Sequence, residues 1–437
     1  MNNPDPYQLI IGLDRADKKA DLHLIEVATR KRWNQTLNTA PESLHEWLAQ
    51  LRQQYPQARV GLCLEQPAGN LIPFLETYAW ITLLPINPIT LQKFREAFVT
   101  SRAKDDTKDA RYLAELVLSH HDKLKPWAPE DAATRLLQQL IVHRRDLVDE
   151  RTALTNRLQA LLKQYFPQAL GLCGQELWRP LATAFLLAWP TLQALRKAST
   201  KTLTAFYRRQ GSHSATLLQQ RLDLIASAVP LTDEAALLDT FALRVQLLCR
   251  ELQLVTPTVA DYDQRIATAF AQHPDRELFA HLPGAGRVLA PRLLTAFGSN
   301  RERFETHHHL QCYCGIAPVT KQSGGMRHVH RRYLCPKFLK QSFHEFAAQS
   351  VLACRWAAAY YLQQCNRGAR HHVAVRALAY KWIRILFRCW QERTPYSEAI
   401  YEAALQRNGS PLVALFAQIE VGKNPFKSQK KKTQKPS

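Results

Sequence analysis

The apolar positions of this chain change their spacing twice. Near the amino end, Tyr7–Leu13, Leu22–Val27 and Lys31–Leu37 are short runs in quick succession, as expected of three strands joined by hairpins. Pro41–Gln54 then sets Leu44, Trp47, Leu48 and Leu51 at helical spacing. A strand (Arg59–Leu64), a helix (Asn70–Tyr78), a strand (Ile81–Ile86) and two helices (Ile89–Phe98, Asp106–Ser119) follow. The order β-β-β-α-β-α-β-α predicts an α/β domain with a mixed sheet and helices on its faces, which is the order of an RNase H-like fold. The unbroken apolar runs of the first and fourth strands suit central strands buried on both sides.

From Glu130 to Tyr165 the period becomes that of one long helix. Leu140, Leu147, Leu154 and Leu161 recur every seven residues beside Leu137, Ile141, Val148, Leu158 and Leu162, while Arg144 and Arg151 interrupt the second seam position. This coiled-coil-like stripe asks for a helical partner. A second subunit is one source. The amphipathic stretch Leu237, Phe241, Val245, Leu248, Leu252, folded back antiparallel, is another. Residues 174–228 are helical without a clear frame. Beyond His273-Pro274, Leu282-Pro283-Gly284-Ala285-Gly286-Arg287 leads into Val288–Phe297 in the manner of a helix-hairpin-helix. Helices at Phe338–Tyr361 and Val373–Trp390 complete a compact helical domain. The expected division is 1–125, a helical oligomerisation region 126–272, a C-terminal domain 273–400, and a helix with a basic tail at 401–437.

Charge sharpens the picture. Of 437 residues, 58 are Lys or Arg and 37 are Asp or Glu, a net +21. Such an excess points to a polyanionic partner, most commonly nucleic acid. Between Thr306 and Gln391 stand 13 basic residues and one acid, Glu345, whereas carboxylates are frequent in the first 110 residues. Lys423, Lys427, Lys430, Lys431, Lys432 and Lys435 suggest a basic arm on phosphates. The longest apolar stretch, Leu181–Trp189, stops at Pro190, far short of the roughly 20 residues a membrane span needs. A polar start and nine scattered cysteines without a CxxC pair suit a reduced, cytoplasmic setting. Secreted, membrane-spanning and fibrous classes are not expected.

Two groups of residues have the makings of chemistry. Asp14 follows immediately on the first strand and Glu65 on the fourth, neighbours in an RNase H-like sheet, and Asp106 and Asp109 share a face at the start of a helix. Four converging carboxylates suit two divalent cations in phosphodiester chemistry. Taken singly, each has an ordinary structural use as turn, ion-pair or cap residue, and Asp17 and Asp105 are rivals. Ser323 lies in Lys321-Gln322-Ser323-Gly324-Gly325, a turn by composition. A serine nucleophile needs a base or a metal to take its proton, and Arg327, Arg331 and Arg332 could offset charge on a phosphate. Gly284, Gly286 and Arg287 would present a helix N-terminus to a phosphate. Lys321 would add to the basic surface, as would Arg376, Lys381, Arg384 and Arg388 on the last long helix. His307, His308, His309, Cys312 and Cys314 match no common zinc spacing.

Gly12-Leu13-Asp14, Leu64-Glu65-Gln66-Pro67-Ala68-Gly69, Ile86-Asn87-Pro88 and Lys104-Asp105-Asp106-Thr107-Lys108-Asp109-Ala110 resemble the acidic blocks of the DEDD transposases of the insertion sequence 110 family. Arg144–Leu162 resembles that family's inter-domain helix. Leu282–Gly286, Gly315-Ile316-Ala317-Pro318, Ser323-Gly324-Gly325 and Gly368…Arg376-Ala377…Tyr396 resemble its C-terminal domain. The paired Asp105-Asp106 departs from the usual block, and residues 174–228 match none. The resemblance implies a RuvC-like nuclease domain with Asp14, Glu65, Asp106 and Asp109 holding Mg²⁺ or Mn²⁺. It implies Ser323 as a nucleophile forming a phosphoserine link to DNA. It also implies recombination of donor and target DNA guided by an element-encoded RNA. Separately, the helical stripe at Leu140–Leu162, joining the domains that carry the two sites, suggests a composite centre completed between subunits of a homodimer or homotetramer. A metal-dependent structure-specific nuclease in which Ser323 is only a turn, and a non-catalytic nucleic-acid-binding protein, are the alternatives.

Overall fold

The computed structural model describes residues 6–66, 71–98 and 106–419. These fall into two compact units, divided between Pro129 and Glu130.

The first unit is α/β. Strands β1 (Leu9–Arg15), β2 (Lys19–Glu26) and β3 (Arg32–Asn38) precede helix α1 (Pro41–Gln54), β4 (Val60–Glu65), α2 (Leu71–Leu75), β5 (Ile81–Ile86), α3 (Pro88–Phe98) and α4 (Asp106–His120). The sheet order is β3-β2-β1-β4-β5, antiparallel across β3, β2 and β1 and parallel across β1, β4 and β5. This mixed five-stranded order is consistent with the RNase H-like expectation. Alternation along β1 and β4 divides their side chains between two cores. Leu9, Ile11, Leu13, Val60, Leu62 and Leu64 meet Leu44, Trp47, Leu48 and Leu51 of α1 on one face. Ile10 and Cys63 meet Leu113, Ala114 and Val117 of α4 on the other.

Gly12 sets how closely α4 approaches. A Cβ at that position would lie 1.9 Å from the Ala110 carbonyl oxygen and 2.5 Å from the Ala114 nitrogen. Only glycine lets the helix backbone rest on the strand.

The second unit is helical: α5 (Ala132–Tyr165), α6 (Ala169–Cys173), α7 (Pro180–Ala188), α8 (Leu192–Arg196), α9 (Thr200–Arg209), α10 (Ala215–Ser227) and α11 (Ala235–Ala271). Then come α12 (Arg276–Ala280), α13 (Gly286–Phe297), α14 (His307–Tyr313), strands β6 (Val319–Ser323) and β7 (Met326–His330), α15 (Lys337–Ala353), α16 (Arg355–Asn366), α17 (His371–Gln391) and α18 (Glu398–Arg407). The partner that α5 needs is α11 of the same chain, running antiparallel. Tyr165 stacks on Phe241 at one end with ring centroids 4.8 Å apart, and at the other Thr134 Oγ1 lies 2.9 Å from His273 Nε2. The buried stripe is Leu137, Ile141, Leu154, Leu158 and Leu162, with the half-buried Arg144 paired to Asp263.

This helix pair runs through two cores. The end that carries Tyr165 and Phe241, from Leu154 and Leu252 outward, belongs with α6–α9, which gives residues 174–228 an ordered packing that their composition did not reveal. Its other end, at Leu137, Ile141 and Ile266, belongs with α12–α17. The helix expected over Phe338–Tyr361 is two helices. Cys354 is extended (φ −139°, ψ 123°), and the amide it frees at Arg355 donates to Glu398 of α18, 3.1 Å away.

Candidate functional site

The acidic end of the first unit follows from strand register. The last parallel pair of β1 and β4 is Leu13 with Leu64. Asp14 and Glu65 come next, about 5 Å apart at the strand spacing, and by alternation both face α4. Asp14 lies within β1, where its antiparallel partner is Asp21 of β2. Directly opposed residues share a face, so Asp21 is a further carboxylate at this end, and the strand-by-strand reading had passed over it. It is buried, accepting from Thr36 Oγ1 at 2.7 Å and Lys19 Nζ at 3.3 Å. Like charges on neighbouring strands repel, and a cation or donor must offset them.

Helix α4 begins over the same end, because its contact with Gly12 brings Ala110 against the sheet. Asp109 is buried there and takes Arg95 of α3 at 3.1 and 3.3 Å. Arg95 gave no local signal, since a lone arginine on a helix reads as solvated surface. Asp106 starts α4, but its side chain lies outside the described residues, as does Asp105. The donors are all carboxylates, the ligand type that Mg²⁺ and Mn²⁺ prefer. Among the described residues no three His, Cys, Asp or Glu side chains stand together as an ion-holding group. A cation held by Asp109 would compete with Arg95 for its carboxylate.

In the second unit, Ser323 ends β6 in a bare hairpin. Ser323 pairs with Met326 across a two-residue turn, and Gly324 takes φ +55° as its first central residue. Every residue of β6 and β7 except Val319 is exposed. The register Lys321–His328 and Val319–His330 puts Lys321, His328 and His330 on the face of Ser323. Arg327 pairs with Gln322 and belongs to the opposite face, so it is not the cation beside the serine. Arg331 lies over the Tyr333 ring at 4.5 Å, and Arg332 donates to Cys312 Sγ at 3.4 Å. His328, overlooked in the sequence, could have been found by pairing residues across the glycine turn.

The remaining basic candidates divide. Arg384 and Arg388 are exposed on α17, Arg388 beside Glu392 at 2.9 Å. Arg376 is half-buried on the same helix. Lys381 turns inward among the Tyr360, Trp356 and Tyr401 rings, its ammonium 4.7–5.9 Å from their centres, and burial lowers its pKa. Gly284 (φ +79°) does not face a ligand. A Cβ there would meet the α15 backbone at Gln349, 2.7 Å away. Gly286 faces open space and Arg287 is exposed. The lysine-rich tail lies outside the described residues. None of the described helices is long and apolar enough to cross a membrane.

Comparison with known proteins agrees with both halves. Residues 11–167 match a transposase family model of the DEDD type, and residues 276–362 match the transposase model of the IS116/IS110/IS902 family. A protein of the IS117 mini-circle in Streptomyces coelicolor is 27% identical over 343 residues, covering 78% of this chain and 83% of that protein. The uncharacterized protein of insertion element IS110 from the same organism is 29% identical, covering 67% and 72%. The uncharacterized protein of insertion element IS900 from Mycobacterium paratuberculosis is 28% identical, covering 69% and 75%. With both matches in order along one polypeptide, the chain belongs to the IS110 family of transposases.

Proposed function

We propose that this transposase cleaves and rejoins DNA with two sets of groups, a RuvC-like carboxylate centre in the first unit and a serine nucleophile in the second. The observation that supports it most is Ser323 at the exposed tip of a hairpin, where a duplex or single strand can approach its hydroxyl. Asp14, Glu65 and Asp109, with Asp106, would hold Mg²⁺ or Mn²⁺, which supplies charge neutralisation at the scissile phosphate. Ser323 Oγ attacks phosphorus and its proton passes to a base, for which His328 on the same hairpin face is the nearest kind of group. The bond from phosphorus to a deoxyribose oxygen breaks, and that oxygen takes up a proton. A hydroxyl of a second strand then reverses the step and reseals the backbone. Lys321 on the same face and exposed Arg384 and Arg388 would bind backbone phosphates. An element-encoded RNA selects the donor and target sites. A protein rich in backbone-binding charge suits that division of labour.

The carboxylates of one subunit and Ser323 of another complete the reaction centre in a dimer or tetramer. Since α11 occupies the inner stripe of α5, a second copy would close on the outward face of α11. Leu243, Leu247 and Leu254 stand 68%, 43% and 72% exposed there.

The test is a covalent protein–DNA adduct, sought with DNA bearing the element's ends, RNA transcribed from its non-coding flank, and Mg²⁺. Wild type is expected to form it and Ser323→Ala to lose it. Glu65→Gln is expected to reduce it by orders of magnitude. Cleavage without any adduct would favour the structure-specific nuclease, and binding without cleavage a scaffold. Protein that stays monomeric on nucleic acid would count against the shared centre.

A further inference from the structure

We propose that a single backbone phosphate of a nucleic acid binds where α5, α11, α13 and α15 meet, held by Arg145, Arg287 and the buried Arg292. The proposal rests on the nucleic-acid reading above and adds a site that lies apart from Ser323 in the fold.

A cavity of about 30 Å³ is lined there by Arg144, Arg145, Asp263, Arg287, Arg292 and Phe338, among others. Arg292 is only 9% exposed. Its Nε donates to Ser342 Oγ at 2.9 Å, its Nη1 to Glu345 at 2.8 Å, and its guanidinium lies 4.5 Å from the Phe338 ring centre. Nη2 is buried without a partner. A buried cationic donor left unmatched is costly, so something must accept from it. Arg144 is matched by Asp263, through contacts of 2.5 and 3.2 Å. Arg145 reaches Asp149 at 2.8 Å and lies 5.5 Å from the same Phe338 ring. Arg287 has no ion-pair partner among the described residues and is exposed.

Four guanidinium groups thus meet three carboxylates, Asp263, Asp149 and Glu345. The excess is one positive charge, the complement of a phosphodiester. Burial lowers the pKa of Arg292; Glu345 opposes that shift, and Arg145 and Arg144 add to it.

Backbone donors converge on the same place. α13 is a 12-residue helix whose N-cap, Ala285, offers no side-chain oxygen. Its ladder begins with the Leu289 amide on the Ala285 carbonyl, so the amides before it remain for an anion. Arg287 and Val288, which line the cavity, belong to that first turn. The cavity admits little more than one oxygen. The phosphate would sit at the mouth with one oxygen directed toward Nη2.

The test measures how binding of full-length protein depends on salt, using a labelled duplex DNA and a labelled single-stranded RNA. The variants are Arg287→Gln, Arg145→Gln and the double variant, with Arg179→Gln as control, each checked for an unchanged melting temperature. Loss of one phosphate contact lowers the slope of log K against log salt by about 0.9 on duplex and about 0.7 on a single strand. We expect that drop in Arg287→Gln, with no further drop on adding Arg145→Gln, because both hold one phosphate, and no change in the control. A drop confined to one of the two nucleic acids supports the site and identifies its source. Unchanged slopes in all variants would mean the cavity holds water alone and overturn the proposal. A doubled drop in the double variant would overturn the single shared phosphate. Wild-type protein that binds neither nucleic acid would sink the broader reading itself.

Discussion

At the scale of single residues, the acidic end is set by a glycine and an arginine as much as by acids. Gly12→Ala would press a methyl group into the α4 backbone. It should cost the first unit about 2–3 kcal/mol or more, read as a lowered melting temperature. Arg95 holds Asp109 where a cation is proposed. Arg95→Gln should therefore lower by several-fold the Mn²⁺ concentration giving half-maximal cleavage; an unchanged value would mean that ion and arginine do not share Asp109. The places of Asp14, Glu65 and Ser323, beside strand ends and a glycine turn, were legible in the chain because those are local signals. Asp21, Arg95 and His328 were not. Each gains its meaning from a partner on another strand or helix, and register cannot be read from one segment at a time.

Among the elements, the β1–β5 order and most boundaries in the first unit follow from apolar spacing, and α5 was foreseen nearly to the residue. The break at Cys354 escaped because the apolar pattern runs through it. What ends α15 and restarts α16 is a carboxylate arriving from Glu398, more than forty residues later. The β6–β7 hairpin was seen only as its turn, since short polar strands carry little apolar alternation. Gly324 at φ +55° is the element's weak point. Gly324→Val should cost about 1–2 kcal/mol locally and reduce adduct formation, while the melting temperature of the second unit stays constant. A drop in melting temperature equal to that of a core variant would show that the hairpin is part of the core after all.

For the molecule as a whole, two compact units imply two responses to conditions. His273 and His344 both have pKa values lowered mainly by burial, and both belong to the second unit. Above about pH 6.5, folded and unfolded chains alike leave them neutral, and their full contribution to stability is present. As pH falls below that value the unfolded chain takes up protons that the folded one refuses, so the second unit loses stability. Melting followed by calorimetry between about pH 7.5 and 5 should show its transition moving down, and less so in His273→Gln. The hairpin behaves differently. With neither face packed against a core, two isolated strands are marginal in water, and their ladder opens far more readily than the helices below it. Amide deuteration along Thr320–Val329 should thus be complete almost at once in the free protein, and slow only when a polynucleotide lies across it, making that segment a footprint of substrate engagement.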